Sequence, residues 1–210
     1  MSDWKMDGKP ALVILHMQKG IVSKGNFIPG WYEDSMKAIK ESGMISRMQD
    51  LLKAFRDKKL PIIFVSVLPN PIGILPAYGT LYRKMEEAKL DANILTSPSI
   101  RESLELIPEM ARRPEEPLLV NWLLGGFTNS GLDVMLKLKG VKTVILAGFA
   151  AHQIVYTTAV QASDLWYSVI IPRDASISPS FERKAYEAMM DITAPLMTLV
   201  TTTDDVIAHL

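Results

Sequence analysis

The sequence predicts a three-layer α/β fold: a doubly wound, mainly parallel sheet of about six strands with helices on both faces. Three observations carry this. Short runs rich in Val, Ile and Leu recur along the chain, and each reads as a strand buried on both faces, as parallel strands are. Segments with helical spacing alternate with these runs. The chain has 210 residues and no internal repeat or long linker, which suits a single domain, 1–210.

Pro10 and Ala11 open the first run, ALVILH, with His16 at its C-terminal end. The glycine-punctuated stretch MQKGIVSKGNFIPGW follows as a loop. From Asp34 the spacing is helical, and Gly43 interrupts it. A second amphipathic helix then places Ile45, Met48, Leu51, Leu52 and Phe55 on one face, and Lys58 and Lys59 suit its C-terminal dipole. Pro61–Val67 is the second strand. Leu68–Pro117 is the least regular part, with a loop rich in proline, a short helix over Leu81–Leu90 and a helix over Ser99–Arg112 capped by Ser99. A crossover of this length carries more than a bare helix, such as a lid or a subunit contact.

Pro117–Asn121 is the third strand, and a helix runs from about Ser130 to Lys139. Thr143–Phe149, His152–Asp164 and Trp166–Pro172 then read as strand, helix and strand, a βαβ unit of right-handed crossover. Ser178 or Ser180 caps a helix that runs to about Asp191. Leu196–Thr201 is the last strand, and Asp204 starts a short tail helix.

Composition narrows the function classes. Lysine plus arginine equals aspartate plus glutamate, 23 each. Zero net charge gives no electrostatic reason to expect nucleic acid or an anionic membrane as partner, and nothing repels a second copy. There is no cysteine, which excludes disulfides, thiolate metal sites and a cysteine nucleophile. The N-terminus lacks a signal-peptide core, and no apolar run approaches the roughly 20 residues of a membrane span, so a cytoplasmic protein is expected. Three scattered histidines make no metal cluster, and neither G-x-G-x-x-G, Walker A nor G-x-S-x-G occurs in a fitting context. No metal and no cofactor are expected.

In an open parallel sheet the strand C-termini line one rim, where ligands bind. Those ends carry His16 and Gln18, then Leu68, then Asn121, then the turn Ala150–Ala151–His152–Gln153. Two of the three histidines fall on this rim. Taken singly, His16 reads as a hydrogen-bonded, half-buried side chain and His152 as a polar residue in a helix's first turn. Together on one rim they mark a candidate site. The backbone N–H groups beside His152 suit a carboxylate or a developing oxyanion.

The element order, the ALVILHMQ opening, the GFAAHQI turn, Asp174–Ala175 and the closing LVTTTDDVI resemble the isochorismatase-like, or cysteine hydrolase, superfamily. That family has a Rossmann-like fold, and its members commonly form dimers or larger rings. The pair Ala151–His152 looks closest to true isochorismatases, which cleave a vinyl ether by acid-assisted addition of water. The family's amidases use a cysteine. Carried over one at a time, the family's aspartate falls on His16, its lysine on Asn121 and its cysteine on Ile154. The match at Phe127 is kept. Ala151 takes the oxyanion-hole position, and the family's cis peptide falls at Ala150–Ala151. Gln18, Trp122 and Gln153 complete the implied binding set. The zinc-binding D-x-H-x-H of nicotinamidases has no counterpart in SVLPNP.

Two readings stay open. The first is a pocket or scaffold protein that has lost the family's covalent chemistry and holds a small carboxylate or amide. On this reading a homodimer or larger homo-oligomer is expected. The second is a hydrolase of an isochorismate-like vinyl ether or related small carboxylate, with His16, aided by His152, as the acid or base.

Overall fold

The computed structural model describes residues 4–23, 31–68, 79, 83 and 98–210. Among them the sheet has seven strands: β1 Lys9–Leu15, β2 Ile62–Leu68, β3 Leu118–Trp122, β4 Val141–Phe149, β5 Ser168–Pro172, β6 Ser176–Ile177 and β7 Leu199–Thr201. Every pairing is parallel, in the order β3-β2-β1-β4-β5-β7, and β6 pairs with the tip of β4. The order reverses between β1 and β4, so the crevice for a ligand opens outside their C-terminal ends.

The continuous apolar runs are explained by what lies on each side. Alternate residues of a strand face opposite ways. Leu12 and Ile14 pack with Met44, Met48, Leu51, Leu52 and Phe55 of the helix Met44–Asp57 and with Val206 of the helix Thr203–Ala208. Ala11, Val13 and Leu15 pack on the other face with Leu132 and Leu136 of the helix Leu132–Leu138 and with Val155, Ala159 and Ala162. Each fully buried Val, Leu, Ile, Phe or Met among them contributes about 1.5–3 kcal/mol. Gly43, at φ +68°, ends the helix Trp31–Ser42 and lets the next one begin.

The structure redraws several boundaries. The helix expected over Ser99–Arg112 is Pro98–Leu104. It starts before Ser99, which therefore lies in its first turn and does not cap it. It ends at Leu104 because the chain then pairs with β1's continuation: Leu106 bridges Gln18, and Ile107 N–H donates to the Met17 carbonyl; a separate 3-10 turn follows at Pro108–Met110. The expected helix over Leu81–Leu90 lies outside the described residues, apart from Arg83. Trp166 precedes the strand: at φ +68° it closes the helix Tyr156–Asp164, its N–H donating to the Ser163 carbonyl. Leu196 ends a 3-10 turn containing Pro195, so β7 starts only at Leu199.

Neither Ser178 nor Ser180 caps the helix after β6. Pro179 holds the chain extended there, and Ser180–Glu182 forms a 3-10 turn before the helix Arg183–Ala188. The strand β6 was not expected, being only two residues long. Among the described residues, no helix is long and apolar enough to cross a membrane.

Candidate functional site

β1 delivers His16 to the rim. The His16 N–H continues the ladder to the Val65 carbonyl at 2.8 Å, then the backbone turns at φ +56°. The side chain is fully buried, and its Nε2 lies 2.8 Å from Oδ1 of Asn121 at the end of β3. Since β2 lies between β1 and β3, this bond spans the β2 tip.

The tautomer follows from the partners. Asn121 Nδ2 donates to the Gly125 carbonyl at 2.7 Å, so its Oδ1 is the end that faces the ring and must accept. His16 therefore carries its proton on Nε2. Its Nδ1 is a buried lone pair with no hydrogen-bond partner among the described residues. Burial lowers the His16 pKa to about 4, against a smaller upward pull from the Asn121 bond. The ring is neutral at pH 7.

The loop after β3 holds Asn121 in place. Gly126 N–H donates to Thr158 Oγ1 at 2.9 Å, and Phe127 N–H donates to Gln161 Oε1 at 3.2 Å. A Cβ at Gly126 would press on Thr158 and Leu15, so the Gly125–Gly126 pair lets this loop lie close on the helix Tyr156–Asp164. Phe127 stacks on Tyr167, their centroids 6.1 Å apart. Trp122 is half-buried at the β3 end.

β4 leads into a π-helical turn, Ala151–Val155. The cis peptide lies at Phe149–Ala150, one residue before the position that the resemblance implied, and the Ala150 carbonyl accepts from Ile154 N–H. Ala151 is buried at the head of the turn. Ile154 is 5% exposed and lies in the same apolar cluster as Leu15, with Leu124 and Phe127 packed against that cluster. Gln18 is fully buried, and its amide is committed to protein: Nε2 donates to the Val67 and Ser103 carbonyls, and Oε1 accepts from Val67 N–H.

His152 meets a cluster of its own. Its backbone N–H and its Nδ1 lie 3.2 and 2.8 Å from Ser178 Oγ. Its Nε2 faces Glu182 Oε2 at 3.6 Å, and Gln153 Nε2 donates to the other oxygen of that carboxylate at 3.0 Å. Burial holds the His152 pKa below its ordinary 6.5.

The model of the isochorismatase domain matches residues 10–205. This chain belongs to the isochorismatase family. It is 26% identical over 198 residues to the uncharacterized isochorismatase family protein YwoC of Bacillus subtilis, covering 94% of this chain and 92% of that one. Among solved structures it matches an isochorismatase family protein from Burkholderia thailandensis, with TM-score 0.73, 24% identity and coverage of 98% and 97% of the two chains. It also matches a cysteine hydrolase from Pseudomonas syringae pv. phaseolicola, with TM-score 0.75, 19% identity and coverage of 98% and 94%. At those identities the two structures show the shared fold.

Within this isochorismatase-family fold, His16 and Asn121 come together, while His152 sits with Ser178 and Glu182. The sequence reading named Ser178 only as a helix cap and did not name Glu182. Ser178 is 26 residues from His152, and only the unexpected strand β6 brings it there. The one local signal was the spacing of Ser178 and Glu182 just after Asp174–Ala175.

Proposed function

We propose that this isochorismatase-family protein does not carry out the family's cysteine-dependent hydrolysis, and that its rim is a pocket for a small ligand, with an amide preferred. The observation that carries this is the His16–Asn121 bond at 2.8 Å. The resemblance puts an aspartate and a lysine at these two positions. Here the pair is neutral, and its one ring proton is committed to Asn121. Ile154 offers no nucleophile and packs with the core. The second reading, His16 as acid on a vinyl ether, is opposed by the same geometry, since a ring with a pKa of about 4 has no spare proton at pH 7. What His16 does offer is the Nδ1 lone pair, which suits an amide N–H and not a carboxylate.

Thermal-shift and calorimetric titration with benzamide, nicotinamide and benzoate test this. The expected result is binding of the amides, weaker or absent binding of benzoate, and no product. No amide binding at millimolar concentration, or turnover of any of them, overturns it. The proposal extends to a cytoplasmic homo-oligomer. Exposed Trp166 (92%), Leu138 and Leu196 support self-association, which light scattering on the purified chain measures.

A further inference from the structure

We propose that Ser178, His152 and Glu182 form a nucleophile, base and orienting acid beside the tip of β4, able to take an acyl group from a carboxylic ester. This goes beyond the amide pocket and does not rest on it.

The placement comes from the sheet. β6 pairs Ser176 with Gly148 and Ile177 with Phe149, so the next residue, Ser178, stands beside the start of the helix that carries His152. Glu182 arrives on the 3-10 turn that follows. Its Oε1 is held by Gln153, the neighbour of His152, and this fixes Oε2 opposite the imidazole.

The proton positions follow. Nε2 faces the Glu182 carboxyl at 3.6 Å, an acceptor group, so we place the ring hydrogen on Nε2. Nδ1 is then the lone pair, and the contact at 2.8 Å is Ser178 Oγ–H donating to it. The His152 backbone N–H, at 3.2 Å, points at the same Oγ and stabilises negative charge as the hydroxyl gives up its proton. A hydroxyl that merely satisfied the helix N-terminus would need that backbone contact alone. It would not need a ring nitrogen within hydrogen-bond distance and a carboxylate on the far side of the ring. This is the relation of groups by which a weak nucleophile is activated.

The step balances within the site. Ser178 Oγ bonds to the ester carbonyl carbon and passes its proton to Nδ1. The carbon–oxygen bond to the alcohol breaks, and that oxygen takes the proton from Nδ1. Water then attacks the acyl-serine, its proton returns through Nδ1 to Oγ, and the carboxylic acid leaves. The Glu182 carboxylate faces Nε2 and stabilises the transient imidazolium.

The test uses the full chain, a fluorophosphonate probe and intact-protein and peptide mass spectrometry. The expected result is one adduct, on Ser178, absent in Ser178→Ala and forming about a hundredfold more slowly in His152→Gln. Ser178→Cys gives a second readout, because the chain has no cysteine of its own. Its single thiol should react with iodoacetamide at least about tenfold faster than in the Ser178→Cys/His152→Gln double variant. Absence of an adduct on Ser178 in the parent chain, or an alkylation rate that His152→Gln leaves unchanged, overturns the proposal. Either failure leaves the amide-pocket reading standing, since that is measured at His16.

Discussion

His16 Nε2 and Asn121 Oδ1 stand 2.8 Å apart across the tip of β2, and both side chains are buried. Among the described residues the Asn121 side chain is the acceptor for that ring proton, and its Nδ2 also donates to the Gly125 carbonyl. Replacing Asn121 by leucine leaves a buried donor without a partner. The expected cost is about 1–3 kcal/mol in denaturant unfolding, with little change in the slope against denaturant.

The same pair predicts a dependence of stability on pH. In the unfolded chain the His16 imidazole titrates near 6.5, and in the fold it does so at about 4. Between those values the unfolded chain binds the extra proton. Stability is therefore complete above about pH 6.5 and falls as the pH drops towards 4, by roughly 3 kcal/mol. His152, also shifted downward by burial, adds a slope of the same sign. Unfolding measured from pH 7 to 4 should show the loss, and His16→Asn should remove most of it.

Ile154→Cys places a lone thiol in a cysteine-free chain, within the apolar cluster that Ile154 shares with Leu15. Apolar surroundings raise a thiol's pKa above about 8.5. Alkylation in the native state should be slow and should accelerate on unfolding. The variant should gain no amidase activity, because His16 and Asn121 supply neither the carboxylate nor the cation that the resemblance calls for.

Gly148 pairs with Leu15 across the two central strands, where there is no room for a side chain. A Cβ there would collide with the Leu15 backbone carbonyl, which no side-chain movement relieves. Gly148→Ala is expected to cost about 1–3 kcal/mol or more and to disturb the His16 end of the rim. A fall in melting temperature together with loss of amide binding checks both parts.

The sheet was legible in the sequence because each central strand is an unbroken apolar run, as in LVIL and TVILAGF, and the helices because they show one apolar stripe. The rim residues His16, Asn121 and His152 followed from strand ends alone. What could not be read was anything set by a distant partner. The commitment of Gln18 to Val67 and Ser103, and of Ser178 to His152, depends on contacts many residues apart. β6 was illegible for a different reason: two residues carry no periodicity. The long helix expected from Ser99 ended at Leu104, because the backbone at Leu106 and Ile107 pairs with Gln18 and Met17, a distant contact that side-chain spacing does not report.

β4 changes neighbour partway along one edge. It pairs with β5 through Thr143–Ile145 and with β6 at Gly148 and Phe149, and the Ser176 hydroxyl donates to the Leu146 carbonyl in the gap between. The sheet thus bifurcates just below the rim. Whereas the lower branch is fixed by its apolar rungs, the address of Ser178 depends on the few residues from Arg173 to Ile177. Lengthening or shortening that span by one residue would slide Ser178 past His152 while leaving the His16–Asn121 side as it stands, so the two halves of the rim are free to diverge independently.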